Sequence, residues 1–209
     1  MDFMQYKYWL IILFGVIIYF VKRYYKDERY GTPSEDYKHS VEQLFWNKIE
    51  KARNLASDNY EIQCQKLITL LEAESPEFII QFDKTFKAKM EKAYTWKLWA
   101  AIYIINGGCS DDCFCDFRSW LIGQGETVFE SVVKNPDSLN NLNIGTDDWE
   151  GLLYSANQAY RELTEQDLPP YNILRNGEPA GDKWDEENTE QLKAMLPQLY
   201  LKYNGESKF

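Results

Sequence analysis

Apolar residues recur along most of this chain at the spacing of one helix face. Behind Ser40 and Gln43, a capping-box pair, Leu44, Phe45, Ile49, Ala52 and Leu55 follow at intervals of three and four. Asp58 with Glu61 repeats the device ahead of Tyr60, Cys64, Leu67, Ile68 and Leu71. Ser75-Pro76-Glu77 is a third start signal, proline being at home in a first turn, and Phe78, Ile79, Phe82 and Phe86 continue it. These patterns predict three consecutive amphipathic helices.

From Trp96 to Ile105 the chain reads WKLWAAIYII and is apolar on nearly every side. A buried strand could look like this, but Ala100-Ala101 and the helical neighbours favour a central helix, and no second strand pattern exists to pair with it. Further helices are predicted over Asp111 to Ile122, over Glu126 to Lys134 ahead of Pro136, and over Asp147 to Leu163. Pro169-Pro170, Asn176-Gly177 and Gly181 then mark a loop-rich stretch before a last helix around Glu187 to Tyr200, interrupted by Pro197. The expected fold is all-α, and internal repeats are absent.

The run from Tyr8 to Val21, YWLIILFGVIIYFV, has another character: no charge and no strongly polar group in fourteen residues. Fourteen is short for the ~20 residues that the hydrocarbon layer wants, but Tyr6, Tyr24 and Tyr25 suit the interface, and Lys7, Lys22 and Arg23 can snorkel. No small residue follows that would invite cleavage. The reading is a single-pass transmembrane helix that binds the membrane. Lys22, Arg23, Lys26 and Arg29 follow the span, which predicts a bacterial inner-membrane protein with its globular part in the cytoplasm. The expected organisation is an anchor over 1–29, a linker over 30–38, a helical domain over 39–165 and a loop-rich C-terminal segment over 166–209.

Charge narrows the partners. Residues 1–29 carry five basic and three acidic side chains, leaving 18 basic against 30 acidic, net −12, for residues 30–209. Such a body is a poor ligand for phosphate backbones, so nucleic acid is not an expected partner. Four cysteines are too few and too clustered for a secreted disulfide framework, and a reducing cytoplasm would keep them as thiols.

The densest chemistry lies in residues 104–118, IINGGCSDDCFCDFR. Its Cys-x3-Cys-x-Cys cluster is not a usual zinc spacing and lacks a second ligand pair; His39 is the one histidine and is far away in sequence. No metal and no cofactor is expected. The alternating spacing of a calcium loop is absent from Asp147-Asp148-Trp149-Glu150 and from Asp185-Glu186-Glu187. Two readings of the cluster stay open. As a corner, Gly107-Gly108 ends one helix, Ser110 caps the next, and Asp111 and Asp112 sit where the helix dipole favours them. As a binding site, Asn106, Ser110, Asp111, Asp112 and Arg118 converge near one helix end, and Arg118 needs a partner from elsewhere. Nucleophilic catalysis is weaker, since no histidine is close enough in sequence to activate a cysteine.

Ala93-Tyr94-Thr95-Trp96, Leu98-Trp99-Ala100-Ala101, Ile105-Asn106-Gly107-Gly108-Cys109-Ser110-Asp111-Asp112, Phe114 and Phe117-Arg118-Ser119-Trp120-Leu121-Ile122 with Gly125 together resemble the signature of a bacterial domain family of unknown function. That family stands alone or beside WGR domains. Phe45-Trp46 and Asn135-Pro136-Asp137-Ser138-Leu139 extend the resemblance over roughly residues 40 to 160. It implies a mainly helical domain and no particular activity. Cys113 and Cys115 depart from the pattern, standing where the family usually has a glycine and a variable residue.

The functional expectation is a membrane-anchored, cytoplasm-facing, non-enzymatic domain that binds a protein partner in a regulatory or protective, immunity-like role. The alternative is an enzyme acting on a phosphate-bearing or metal-bound substrate through Asp111, Asp112 and Arg118.

Overall fold

The computed structural model describes residues 35–57, 59–144, 151–171 and 177–205. The chain divides into two compact units, Met1–Val41 and Glu42–Phe209. The account below concerns the second.

Nine α-helices lie among the described residues: α1 (Glu35–Ala56), α2 (Tyr60–Glu72), α3 (Pro76–Lys92), α4 (Trp96–Asn106), α5 (Asp111–Gly123), α6 (Glu126–Lys134), α7 (Ser155–Thr164), α8 (Thr189–Met195) and α9 (Pro197–Asn204). Two 3₁₀ turns, Pro136–Asn141 and Leu152–Tyr154, join them. The only pairing of extended backbone among the described residues is an isolated bridge between Thr95 and Ala180. The all-α expectation therefore stands.

Local chemistry explains most boundaries. Ser75 and Thr95 accept hydrogen bonds from the amides of Phe78 and Leu98, satisfying donors that a helix start leaves open. Two starts differ from expectation. α1 begins at Glu35, because nothing between Glu35 and Ser40 is Gly or Pro, so Ser40 lies inside the helix. At α2 the cap is Asn59, whose side chain accepts from Ile62 at 2.9 Å; Asp58 lies outside the described residues. Of the helix expected over Asp147 to Leu163, residues 147–150 lie outside the described residues; among the described ones α7 begins at Ser155, behind a 3₁₀ turn and Gly151 at φ 127°, a conformation that stops a helix. Pro197 divides the last helix into α8 and α9.

The expectation of a membrane-anchored, single-pass, inner-membrane architecture is corrected. Among the described residues no helix is long and apolar enough to cross a membrane. Length and apolarity never coincide there: α1 has 22 residues but is strewn with Glu, Lys and Arg, while α4 is apolar but has 11. Eleven residues rise about 16 Å, half of a hydrocarbon core. The run from Tyr8 to Val21 itself lies outside the described residues.

The core is one cluster. Phe45, Trp46 and Ile49 of α1, Leu67 and Leu71 of α2, Ile79, Phe82 and Phe86 of α3, and most of α4 and α5 are buried together. α7 packs on α2 and α3, and α5 packs on α3, α4 and α6. The C-terminal part joins the same cluster, with Trp184, Leu192, Leu196 and Leu199 buried in it. Trp184 donates its indole N–H to the Trp96 carbonyl at 2.9 Å, and the Thr95–Ala180 bridge lies beside it.

Candidate functional site

The charged cluster folds as a corner between α4 and α5. Gly107 ends α4 in the left-handed conformation, φ 68°, which a side chain would resist. The Gly108 amide then donates to the Tyr103 carbonyl at 3.0 Å, pairing one of the carbonyls left over at the helix end. Ser110 caps α5, its hydroxyl accepting from the Cys113 amide at 3.2 Å. Asp111 and Asp112 occupy the first turn and are exposed, where the aligned amides favour their charge.

Arg118 takes a different direction from these carboxylates. It is buried, donating through Nε to the Phe114 carbonyl at 3.3 Å and through Nη1 to the Met90 carbonyl at 2.9 Å. Met90 lies in the last turn of α3, so the guanidinium meets a carbonyl that helix geometry leaves unpaired, at the negative end of that helix. Its Cζ lies 4.6 Å from the Tyr94 ring centroid and 4.9 Å from that of Phe114. Six residues of helix, about 9 Å of rise, separate it from Asp112. The corner thus gathers Asn106, Ser110, Asp111 and Asp112, while Arg118 fastens α5 to α3.

The cysteines are the part that sequence reasoning missed. Cys109 and Cys113 are joined by a disulfide, with Cα atoms 5.5 Å apart, so the expectation of four thiols is corrected. The physical reason is the cap itself. Around the N-cap Ser110, Cys113 is the third helical residue, the position whose side chain in a capping box reaches back over the helix start. Cys109, just before the cap, is what it meets. Cysteines at these two positions around a predicted Ser cap were the signal available. The Asn106 amide lies 3.7 Å from the Cys113 sulfur, and the Trp99 indole N–H donates to the Cys109 carbonyl at 3.0 Å. Trp99 stacks between Trp96 and Phe114, with centroids at 5.4 and 5.0 Å.

Other reactive groups are muted by burial. The Cys64 thiol is pushed up to about 11, first by burial and then by nearby Glu61, which leaves it a poor nucleophile. Burial, and then Cys64, also raise Tyr60 above its ordinary value. Asp83 is buried and held above the usual carboxylate range by loss of water, although Lys87 opposes this from 2.7 Å and the Tyr171 hydroxyl also donates to it. Among the described residues, no group of three His, Cys, Asp or Glu side chains is arranged to hold a metal ion.

Comparison with known families now adds one finding. The family described as "Protein of unknown function (DUF4240)" matches residues 41–162. The chain belongs to this family. The matched DUF4240 region runs from α1 into α7 and contains the whole corner together with its disulfide and Arg118. No curated protein and no solved structure matches the chain.

Proposed function

We propose that this DUF4240 protein is a non-enzymatic binding domain that engages a protein partner in a regulatory or protective, immunity-like role. One observation carries the reading. Arg118, the cation that an enzyme acting through Asp111 and Asp112 would need over its substrate, is committed to the interior between Met90 and two aromatic rings. The corner then offers solvent two carboxylates from an acidic body, a surface suited to a basic protein partner and ill suited to phosphate. The resemblance of residues 93–125 to domains that stand alone or beside WGR domains agrees with a module that serves larger assemblies.

The test is a photocrosslinker placed at Asn106, an exposed position at the corner itself, in the native cell. A single basic partner should be captured. Asp111→Asn with Asp112→Asn should weaken capture roughly tenfold or more while the domain stays folded, the loss of about 0.3–1 kcal/mol per charge at the helix start being too small to unfold it. Capture that is indifferent to this neutralisation, beside turnover of a phosphate ester by the purified protein, would establish the enzyme instead.

A further inference from the structure

We infer that Cys109 and Cys113 form a reversible thiol–disulfide site, open to exchange with small thiols and disulfides. The inference does not rest on the protein-binding reading. Its first support is access: both cysteines are half-buried at an exposed corner, whereas Cys64 is buried against Gly151; Cys115 is half-buried as well but stands outside the bridge. Exchange requires a thiolate to reach a sulfur, and both sulfurs of this pair belong to residues that solvent partly reaches.

The second support is that the fold holds the corner without the bridge. Gly107 ends α4, Ser110 caps α5, the Trp99 indole N–H ties down the Cys109 carbonyl, and Phe114 stacks under Trp99. A link between residues four apart closes a very short loop, so it restrains the unfolded chain little and the native state depends on it little. The bridge can therefore open while the domain stays folded. A permanent structural disulfide would join distant parts of the chain; this one joins two ends of a single cap.

The chemistry balances with a small-molecule disulfide as oxidant. One cysteine thiolate attacks that disulfide, forming a mixed disulfide and expelling one small thiolate. The second cysteine then attacks the sulfur of the first, closing the bridge and releasing the second small thiol. Two protons leave the cysteines and two electrons pass to the reagent; reduction is the reverse. Opening frees the Cys113 sulfur beside the Asn106 amide and loosens Cys109, whose carbonyl accepts the Trp99 indole N–H, so the Trp99 environment reports the state.

The experiment equilibrates the folded, full chain in reduced and oxidised glutathione over a roughly thousandfold range of ratio, spanning reducing to oxidising conditions. After acid quenching and alkylation, intact mass should show two cysteines passing from alkylated to protected across that range. Tryptophan fluorescence should move with the same midpoint while helical circular dichroism stays constant. The tryptic peptide Leu98–Arg118 from the oxidised protein should be lighter by two hydrogens before alkylation. Cys115→Ser should leave the titration intact, and Cys113→Ser should abolish it and leave Cys109 carrying a glutathione adduct. Cys109→Ser serves as the mirror if the first variant fails to fold. Failure of the bridge to form at the most oxidising ratio would overturn the proposal, as would failure to open in the folded protein at the most reducing one, or a titration that survives Cys113→Ser.

Discussion

At Arg118 the two meanings of the charged corner predict different energetics. A guanidinium that served a substrate would be dispensable to folding. One that pairs with the Met90 carbonyl of α3 and lies against Tyr94 and Phe114 would not. Lys carries the charge but lacks the planar fork and the stacking surface, so Arg118→Lys should cost about 2 kcal/mol in urea unfolding. An unchanged midpoint would return Arg118 to the candidate binding residues. The polar residues nearer the helix start follow a gentler order. Ser110→Ala removes the acceptor of the Cys113 amide and should cost about 1 kcal/mol, whereas Asp111→Asn gives up only a favourable charge near the dipole, about 0.3–1 kcal/mol. Both figures belong to the reduced protein, because the bridge would mask part of the loss.

Among the elements, those with a strong local signal were legible and those decided by a distant contact were not. Ser75-Pro76-Glu77 and the Gly107-Gly108-Ser110 corner each specify their own geometry, so α3, α4 and α5 begin and end close to where the pattern puts them. The turn before α7 is the opposite case. The pattern runs one helix through to Leu163, yet between Gly151 and Ser155 the chain makes a 3₁₀ turn, because Gly151 lies at φ 127° with the Cys64 sulfur 3.1 Å from where a Cβ would stand. Nothing near Gly151 in sequence announces Cys64. Of the corner, capping and termination were readable, but the inward course of Arg118 depends on a carbonyl 28 residues away. Gly151→Ala should cost about 2 kcal/mol through backbone strain alone. Adding Cys64→Ala relieves the contact and not the strain, so the double variant should remain well below Cys64→Ala alone in thermal unfolding.

At the scale of the whole molecule, the matched family region ends inside α7, whereas the hydrophobic core does not. Trp184 lies against Tyr103, with centroids 4.8 Å apart, and its N–H is bound to Trp96, so Trp184→Ala should cost about 3 kcal/mol or more in urea unfolding, as for any large core side chain. A change below 1 kcal/mol would make the C-terminal part an appendage.

Acid titration reports on the same core from two sides, because two carboxyls of opposite behaviour face it. Glu42 is held below its usual range, chiefly by its hydrogen bond from Lys89. Its contribution is full above the unfolded value near ~4.3 and is lost as pH falls through the lower native value. Asp83 is raised by burial, so the native state holds its proton more tightly than the unfolded chain does. Its contribution is full below the unfolded value near ~3.9 and is lost as pH rises through the higher native value. Each neutral variant should remove one slope. Glu42→Gln should be less stable than the parent at pH 7, and the gap should close on acidification. Asp83→Asn should gain on the parent as pH rises from about 3 to 7, whatever constant offset comes from losing the Lys87 pair. Urea midpoints across that range decide the matter: parallel curves for Asp83→Asn and the parent would mean that the carboxyl titrates alike in the folded and unfolded chain, with Lys87 and Tyr171 offsetting the lost water, and a parent that gains on the variant as pH rises would mean that they outweigh it.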